Sequence, residues 1–205
     1  MGHRFAELAF TPNVKAAQER NGSRGSYARM ESGDARNHQL GPVEAGFIAE
    51  RDSFYMATVG ETGWPYIQHR GGPQGFVRVL DEKTLGFADY RGNRQYVSVG
   101  NLATSDRVAL FFMDYPNRTR LKLLGRATLV DNTHGETLSR LGVEGSPSVI
   151  ERGLLINVEA FDWNCPQHIT PRFTLADVEQ ASAALHQRIA ELEYEVARLR
   201  ENQRG

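Results

Sequence analysis

Hydrophobic and polar positions divide the chain into three parts of different character. In residues 11–50 most positions are polar, and two short runs of helix formers begin at Pro12 and Pro42. Proline fits the first turn of a helix, and Thr11 stands before the first run as a capping residue, so we predict two short helices. Residues 21–41 between them are rich in Gly, Ser, Asn and Arg without periodicity, which predicts a loop.

The middle part, residues 53–164, alternates short β-branched and aromatic runs with turn signals. SFYMATV and WPYIQHRG are joined by ETG and predict a hairpin. Further apolar runs occupy residues 75–81, 84–90, 107–115, 119–131 and 154–164. We predict a helix from about Arg94 to Leu102, and helical or turn-like structure over residues 135–142 and 146–153. About six closely spaced strands with helices at the margins favour an antiparallel barrel or sandwich over a βαβ fold.

The third part, residues 174–205, has the pattern of one amphipathic helix with a capping-box-like start at Thr174 and Asp177. Apolar residues recur along it with Ser182 as the only gap: Leu175, Val178, Leu185, Ile189, Leu192, Val196 and Leu199. Its β-branched and leucine positions favour two parallel strands of a coiled coil, with Arg188 facing Glu193 and Glu195 facing Arg200 of a second copy. The alternative is a single helix packed on its own barrel.

Composition and charge narrow the choice of partners. The chain has 205 residues, of which 40% are hydrophobic and 24% charged, and its net charge is −1. This balance offers no large field to attract nucleic acid or an anionic membrane, so we expect neither as a partner. No apolar run approaches the roughly 20 residues of a membrane span, and the start lacks the pattern of a signal peptide, which favours a cytoplasmic protein. A single cysteine excludes an intrachain disulfide and a cysteine-rich metal site, and we expect no metal.

The segment HRGGP is the first with residues suited to a ligand. Adjacent residues in a strand point to opposite faces, so only one of His69 and Arg70 can point into a given cleft. Gly71 and Gly72 would let a flat ligand approach the main chain. A bulged strand end explains the same glycines without a ligand.

Two further segments are basic. In DYRGNRQ, Arg91 and Arg94 flank a predicted strand-to-helix turn, where free N–H groups and the helix dipole favour an anion such as phosphate. In RTRLKLLG, three cations fall on one face of a strand: Arg118, Arg120 and Lys122. For both segments the alternative is a basic surface that is simply solvated.

The segment FDWNCPQHITPRF follows the last predicted strand and is unusually dense in polar and aromatic groups. It contains Trp163, Asn164, Gln167 and His168 within six residues. Together with HRGGP, DYRGNRQ and RLKLLGRA in this order, it resembles the pyridoxamine 5'-phosphate oxidase-like flavoproteins, the FMN-binding split-barrel family. The resemblance runs over about residues 45–173 and is strongest to a branch with QHRGGP and NCPQHITPR, not to the true vitamin B6 oxidases.

The resemblance implies a mainly β (α+β) fold: a six-stranded antiparallel split β-barrel over residues 45–173 that binds FMN. Residues 1–44 would be an N-terminal helix and loop extension, and residues 174–205 a C-terminal coiled-coil-like helix. The implied cofactor-binding residues come from all four segments: His69, Arg70, Gly71, Gly72, Ala88, Asp89, Arg91, Asn93, Arg94, Gln95, Arg120, Trp163, Asn164, Gln167 and His168. Gln95 replaces a lysine of the family's phosphate grip, and Arg120 matches a position that is usually glutamine.

The implied function is that of an FMN-dependent oxidoreductase of unknown substrate, with the flavin at the interface of a homodimer and NADH or NADPH as electron donor. The family's vitamin B6 substrate is not expected, because the terminal segment differs from the one that holds that substrate in the oxidases. Two alternatives stay open. The chain could be a flavin carrier or sensor without turnover, or a split barrel that binds haem or deazaflavin, with His69 and His168 as axial ligands of a haem.

Overall fold

A computed structural model describes residues 3–32, 36–131, 133–142, 150–163 and 166–202. Seven strands form one antiparallel sheet in the order β2-β1-β5-β6-β7-β4-β3. The strands are β1 (Ser53–Val59), β2 (Pro65–Gly71), β3 (Arg78–Val79), β4 (Thr84–Tyr90), β5 (Arg107–Asp114), β6 (Thr119–Val130) and β7 (Ile150–Trp163). The predicted antiparallel barrel is confirmed, with one short strand more than the six expected.

Helices flank the sheet. They are α1 (Arg4–Ala9), α2 (Pro12–Arg20), α3 (Arg24–Ala28), α4 (Pro42–Ala49), α5 (Val97–Thr104), α6 (Gly135–Leu141) and α7 (Leu175–Asn202). The helices predicted at the two prolines are confirmed, and the Thr11 side chain accepts a hydrogen bond from the Val14 amide at 3.4 Å. Within the described residues, no helix combines the length and apolar character that crossing a membrane requires.

Three local predictions are wrong. The expected loop over residues 21–41 contains α3 and a 3₁₀ turn (Arg29–Glu31), because a five-residue helix is too short to show periodicity. Helix α5 begins at Val97 and not near Arg94, whose φ of 62° is incompatible with a right-handed helix. Residues 150–153 form the start of β7 where a helix or turn was expected; residues 143–149 lie outside the described part.

The core lies inside the curled sheet, and alternation along strands such as β5 points every second side chain into it. In β5, Val108, Leu110 and Phe112 are buried while the residues between them face outward. Phe112 stacks on Phe54 of β1 at 4.9 Å between ring centroids, and Phe54 meets the edge of Phe87 of β4 at 5.2 Å. Since β1 and β4 are far apart in strand order, these contacts show that the sheet curls back on itself.

Helix α7 stands apart from this core. Thr174 and Asp177 form the predicted reciprocal cap: the Thr174 amide donates to the Asp177 carboxylate at 2.8 Å, and the Asp177 amide donates to the Thr174 hydroxyl at 3.1 Å. None of the helix's residues is buried. The alternative of a helix packed along its own barrel therefore does not describe this chain.

We predict that Gly125→Ala destabilises the fold by about 1–3 kcal/mol, since overpacking forces neighbours to move. A Cβ at Gly125 would lie 2.7 Å from both the Asn157 carbonyl oxygen and Cγ2 of Ile156. The matched control is Gly46→Ala in α4, where no atom lies within 4 Å and alanine should stabilise the helix by up to about 1 kcal/mol. Urea unfolding followed by circular dichroism measures both; equal effects would contradict the packing explanation.

Candidate functional site

The barrel is split where the edge strand β2 comes round to face β4. These two strands share no ladder, because β2 is one edge of the sheet and β4 is followed only by the two-residue β3. A salt bridge spans the gap instead: Nη1 of Arg70 donates to Oδ1 of Asp89 at 2.6 Å, and each side chain is 13% exposed. The Arg70 guanidinium also lies 5.8 Å from the ring centre of Phe87.

Alternation along β2 decides which side chains enter the split. Tyr66, Gln68 and Arg70 are half-buried and line a cleft of about 240 Å³, whereas Ile67 and His69 are exposed on the opposite face. Arg70, and not His69, therefore lines this cleft; which of the two contacts the flavin stays a prediction. The His69 ring instead meets the edge of Tyr55, 5.5 Å away on the outer face of the sheet.

The loop after β4 forms the opposite wall of the cleft in a strained conformation. Arg94 and Tyr96 have φ values of 62° and 53°, which non-glycine residues seldom adopt. The Asn93 side chain accepts a hydrogen bond from the Gln95 amide at 3.2 Å and holds the turn between them. Tyr96 then precedes α5 without a side-chain cap, and the first turn of α5 borders the cleft. Amide N–H groups at such an end favour an anion.

A chain of ionic contacts fixes the arginines around the cleft. Asp89 binds Arg70 on one side and Arg152 on the other, where its Oδ2 lies 3.4 Å from Nε of Arg152. Arg152 donates in turn to Glu151 at 2.9 Å. Each guanidinium is thereby held in place before any ligand arrives.

Glu151 is the second acidic centre of this chain of contacts. It accepts hydrogen bonds from Nε of Arg91 at 3.3 Å and from the Tyr96 hydroxyl at 3.2 Å. Burial acts to raise the pKa of Glu151, but the hydrogen bonds from Arg152, Arg91 and Tyr96 outweigh it and hold this pKa below its usual value. The Tyr96 hydroxyl also accepts from Nε of Arg94 at 3.3 Å, which raises the pKa of Arg94. Both residues therefore carry their charges at neutral pH.

The cleft has the electrostatics of a phosphate site. The contacts above join four guanidiniums, from Arg70, Arg91, Arg94 and Arg152, to only two carboxylates. Nε of Arg70 and the hydroxyl of Tyr90 are buried and have no hydrogen-bond partner among the described residues. Arg70, Arg94, Asp89 and Glu151 line the cleft itself, and Arg91 and Arg152 contact the two carboxylates from outside the lining. The whole cluster has two more positive than negative charges, which matches the charge of about −1.5 to −2 that a phosphate monoester carries at neutral pH. These donors fit the phosphate of FMN.

Gly71, one of the two predicted glycines, lies at the end of the same groove. A second cleft of about 160 Å³ adjoins the first, and Gly71 and Ala88 line it together with His69. Gly72 has a packing reason of its own, because a Cβ there would lie 2.7 Å from Cγ of Phe76. The structure thus accounts for Gly72 without a ligand.

The remaining predicted residues lie elsewhere on the chain. Arg120 is on the outer face of the sheet, with its guanidinium 5.5 Å from the ring centre of Phe111. Trp163 ends β7, where its Nε1 donates to Glu44 at 3.0 Å. Gln167 and His168 are exposed in a turn beyond β7, and Asn164 lies outside the described residues. Their role as cofactor ligands stays a prediction.

Sequence reasoning missed several groups at the cleft. Gln68 and Tyr66 alternate with Arg70, so the period of two in β2 was signal enough. Glu151 and Arg152 gave no signal, because they stand in a segment that was expected to be helical or turn-like. Only the pairing of Arg152 with Asp89, between β7 and β4, brings that segment to the cleft.

Comparison with known proteins places this geometry in a family. The family described as pyridoxamine 5'-phosphate oxidase matches residues 42–152, which is more than half of the chain. The chain belongs to this family. The match runs from α4 to Arg152 and therefore contains every residue that lines the cleft. Trp163, Gln167 and His168 lie beyond it, as does α7.

Three solved structures are similar to this family member, and the one with a TM-score of 0.50 shows the same fold. HupZ of Group A Streptococcus is 17% identical with a TM-score of 0.50, and the match covers 65% of this chain and 99% of that chain. An FMN-binding protein from Syntrophomonas wolfei is 12% identical with a TM-score of 0.46, covering 58% and 81%. A pyridoxinephosphate oxidase family protein from Clostridium acetobutylicum is 17% identical with a TM-score of 0.43, covering 65% and 92%. The search of curated proteins returned no match.

We predict that Asp89→Asn lowers the free energy of unfolding by about 1–3 kcal/mol, because it leaves two half-buried guanidiniums without their shared carboxylate. Asp106→Asn is the control: its salt bridge with Arg126 joins side chains that are 49% and 47% exposed, so the loss should stay below about 1 kcal/mol. Both variants are measured by urea unfolding of ligand-free protein at neutral pH. If both variants lose the same free energy of unfolding, the bridge across the split contributes no more to stability than the exposed pair.

Proposed function

We propose that this chain binds FMN with the phosphate in the cleft at the barrel split and acts, as a homodimer, as an FMN-dependent oxidoreductase. One observation carries the proposal: the ionic cluster around the cleft has two more guanidiniums than carboxylates, beside a buried unpartnered Nε of Arg70 and the uncapped start of α5. A phosphate ester would gain more from this arrangement than an uncharged ligand, because guanidiniums and the N–H groups at a helix start favour an anion.

Each group has a distinct part in holding the cofactor. Arg70 and Arg94 would donate to the phosphate oxygens, and the Tyr90 hydroxyl offers a further buried donor. Asp89 and Glu151 orient the arginines, so that less side-chain entropy is lost on binding. FMN, when bound, supplies the hydride or electron transfer, and the protein supplies position and hydrogen bonds. No side chain is proposed as a strong acid or base.

The size of the cleft supports a site completed by a second copy. At about 240 Å³ it is smaller than the roughly 300–1,000 Å³ of a pocket for a whole drug-sized ligand, so the flavin ring would need an adjoining surface. Within one chain Trp163 stands eleven residues along β7 from Arg152, at most about 36 Å for an extended strand, and Arg120 lies beside that far end on β6. A second copy could bring these residues to the flavin.

The outer side of the sheet offers a surface for that copy. An apolar cavity of about 630 Å³ lies there, which we name the outer apolar face; it is lined by Tyr55, Ile67, Phe111, Met113, Tyr115 and Arg120, among others. Ile67 is 65% exposed on this face. Apolar surface of this kind, rimmed by charged residues, is typical of protein interfaces.

We expect the purified protein to be yellow, with absorption bands at the flavin positions and FMN released on denaturation. A Soret band would identify haem as the cofactor in place of FMN, and a spectrum matching deazaflavin would identify deazaflavin. A colourless protein that takes up no added FMN would refute the proposal.

The same purified protein can be used to distinguish an enzyme from a carrier or sensor. NADH or NADPH should bleach the flavin bands, and an added acceptor should restore them over repeated cycles. Flavin that stays oxidised with every donor tested would favour the carrier.

We predict that Arg94→Ala weakens FMN binding by about 1.5–3 kcal/mol, roughly 10- to 100-fold, because it removes a charge-assisted hydrogen bond to the phosphate. Riboflavin has the same ring and ribityl chain without the phosphate, so its affinity should not change. Arg107→Ala removes an exposed arginine outside the cleft and should alter neither affinity. Flavin fluorescence titration measures all of these. An unchanged affinity for FMN in Arg94→Ala would remove Arg94 from the site.

A further inference from the structure

The long helix α7 carries an apolar stripe that none of the described residues covers. It has 28 residues and a length of about 42 Å, and none of its side chains is buried. The large apolar side chains of its second half are 43–66% exposed and share one side: Leu185, Ile189, Leu192, Val196 and Leu199. An isolated helix draws little stability in water from propensity alone, so an exposed stripe of this length calls for a partner.

The order of residues along the stripe identifies the partner. Ile189 and Val196 stand seven residues apart at one seam position, and leucines occupy the other. β-branched residues at the first position and leucine at the second favour a parallel pair of identical helices. We therefore propose that α7 pairs in parallel and in register with the α7 of a second copy of this chain.

Ser182, the gap in the stripe, is compatible with such a seam. Its hydroxyl donates to the Val178 carbonyl oxygen of its own helix at 2.8 Å. The polar group is thus already satisfied when a second helix covers it, and the serine costs little at this position.

The charges beside the seam agree with the parallel arrangement. In register, Arg188 of one copy faces Glu193 of the other, and Glu195 faces Arg200, so both flanking pairs attract. Within a single chain Arg188 already contacts Glu191 at 2.9 Å, an exposed contact that the pair with the second copy can replace or share.

The start of α7 adjoins the outer apolar face. Tyr55, Met113 and Tyr115 line both the cavity on that face and a second cavity of about 680 Å³ that also touches Thr174 and Asp177. In a parallel coil both helices start at the same end, so the two outer apolar faces would meet on one side of it. The coil and the proposed sheet contact can then share one two-fold axis.

Disulfide trapping tests the register directly. In a Cys165→Ser background, Ser182→Cys places one thiol at the seam, and in the parallel coil it faces the same residue of the second copy. Gln187→Cys is the control on the opposite side of the helix. We expect mild oxidation to join most Ser182→Cys chains and few Gln187→Cys chains. No joining of Ser182→Cys, or equal joining of both, would overturn the proposal.

Charge exchange gives a second and independent test of direction. Arg188→Glu should reduce the Ser182→Cys cross-linking rate, because two glutamates then face each other, and adding Glu193→Arg should restore it. In an antiparallel pair Arg188 would face Glu195, and the second substitution would restore nothing. Bound flavin, measured in parallel, tests the cleft separately, since the coil can fail while the cleft still binds FMN.

Discussion

The salt bridge between Arg70 and Asp89 is the contact on which the architecture depends. A seven-stranded sheet that curls without closing leaves one edge strand facing a strand with which it shares no ladder. Here that gap is spanned by a charged pair, with the aromatic cluster of Phe54, Phe87 and Phe112 packed inside it. The split therefore remains open to a ligand while its two walls are held at a fixed separation.

The same pair begins the chain of contacts that prepares the cleft. Asp89 and Glu151 each contact more than one arginine, so these arginines are held in fixed positions around the cleft. The left-handed backbone at Arg94 and Tyr96 turns the loop toward them. Strain of this kind persists where the surrounding structure compensates for it, and here it places the uncapped start of α5 beside the excess positive charge.

The chain also has two apolar surfaces that are exposed to solvent. One is the outer apolar face and the other is the stripe on α7; Tyr55, Met113 and Tyr115 of the outer face also line the cavity that touches the start of α7 at Thr174 and Asp177. The cleft is too small for a whole flavin, and the two surfaces are too apolar to remain exposed to water. Association of two copies would answer both requirements. The proposed dimer would complete the site and cover both surfaces at once.

Local pattern in the sequence determined the strands, the proline-initiated helices and the cap at Thr174, because each depends on residues that are close together in the chain. It also identified Arg70, Asp89 and Arg94, but only as members of separate segments. Which side of β2 enters the split, and that Glu151 and Arg152 belong to the cleft, depend on how the sheet curls and on the pairing of β4 with β7. Those depend on contacts between residues 19 positions apart, as for Arg70 and Asp89, or 63 positions apart, as for Asp89 and Arg152, which no local pattern encodes.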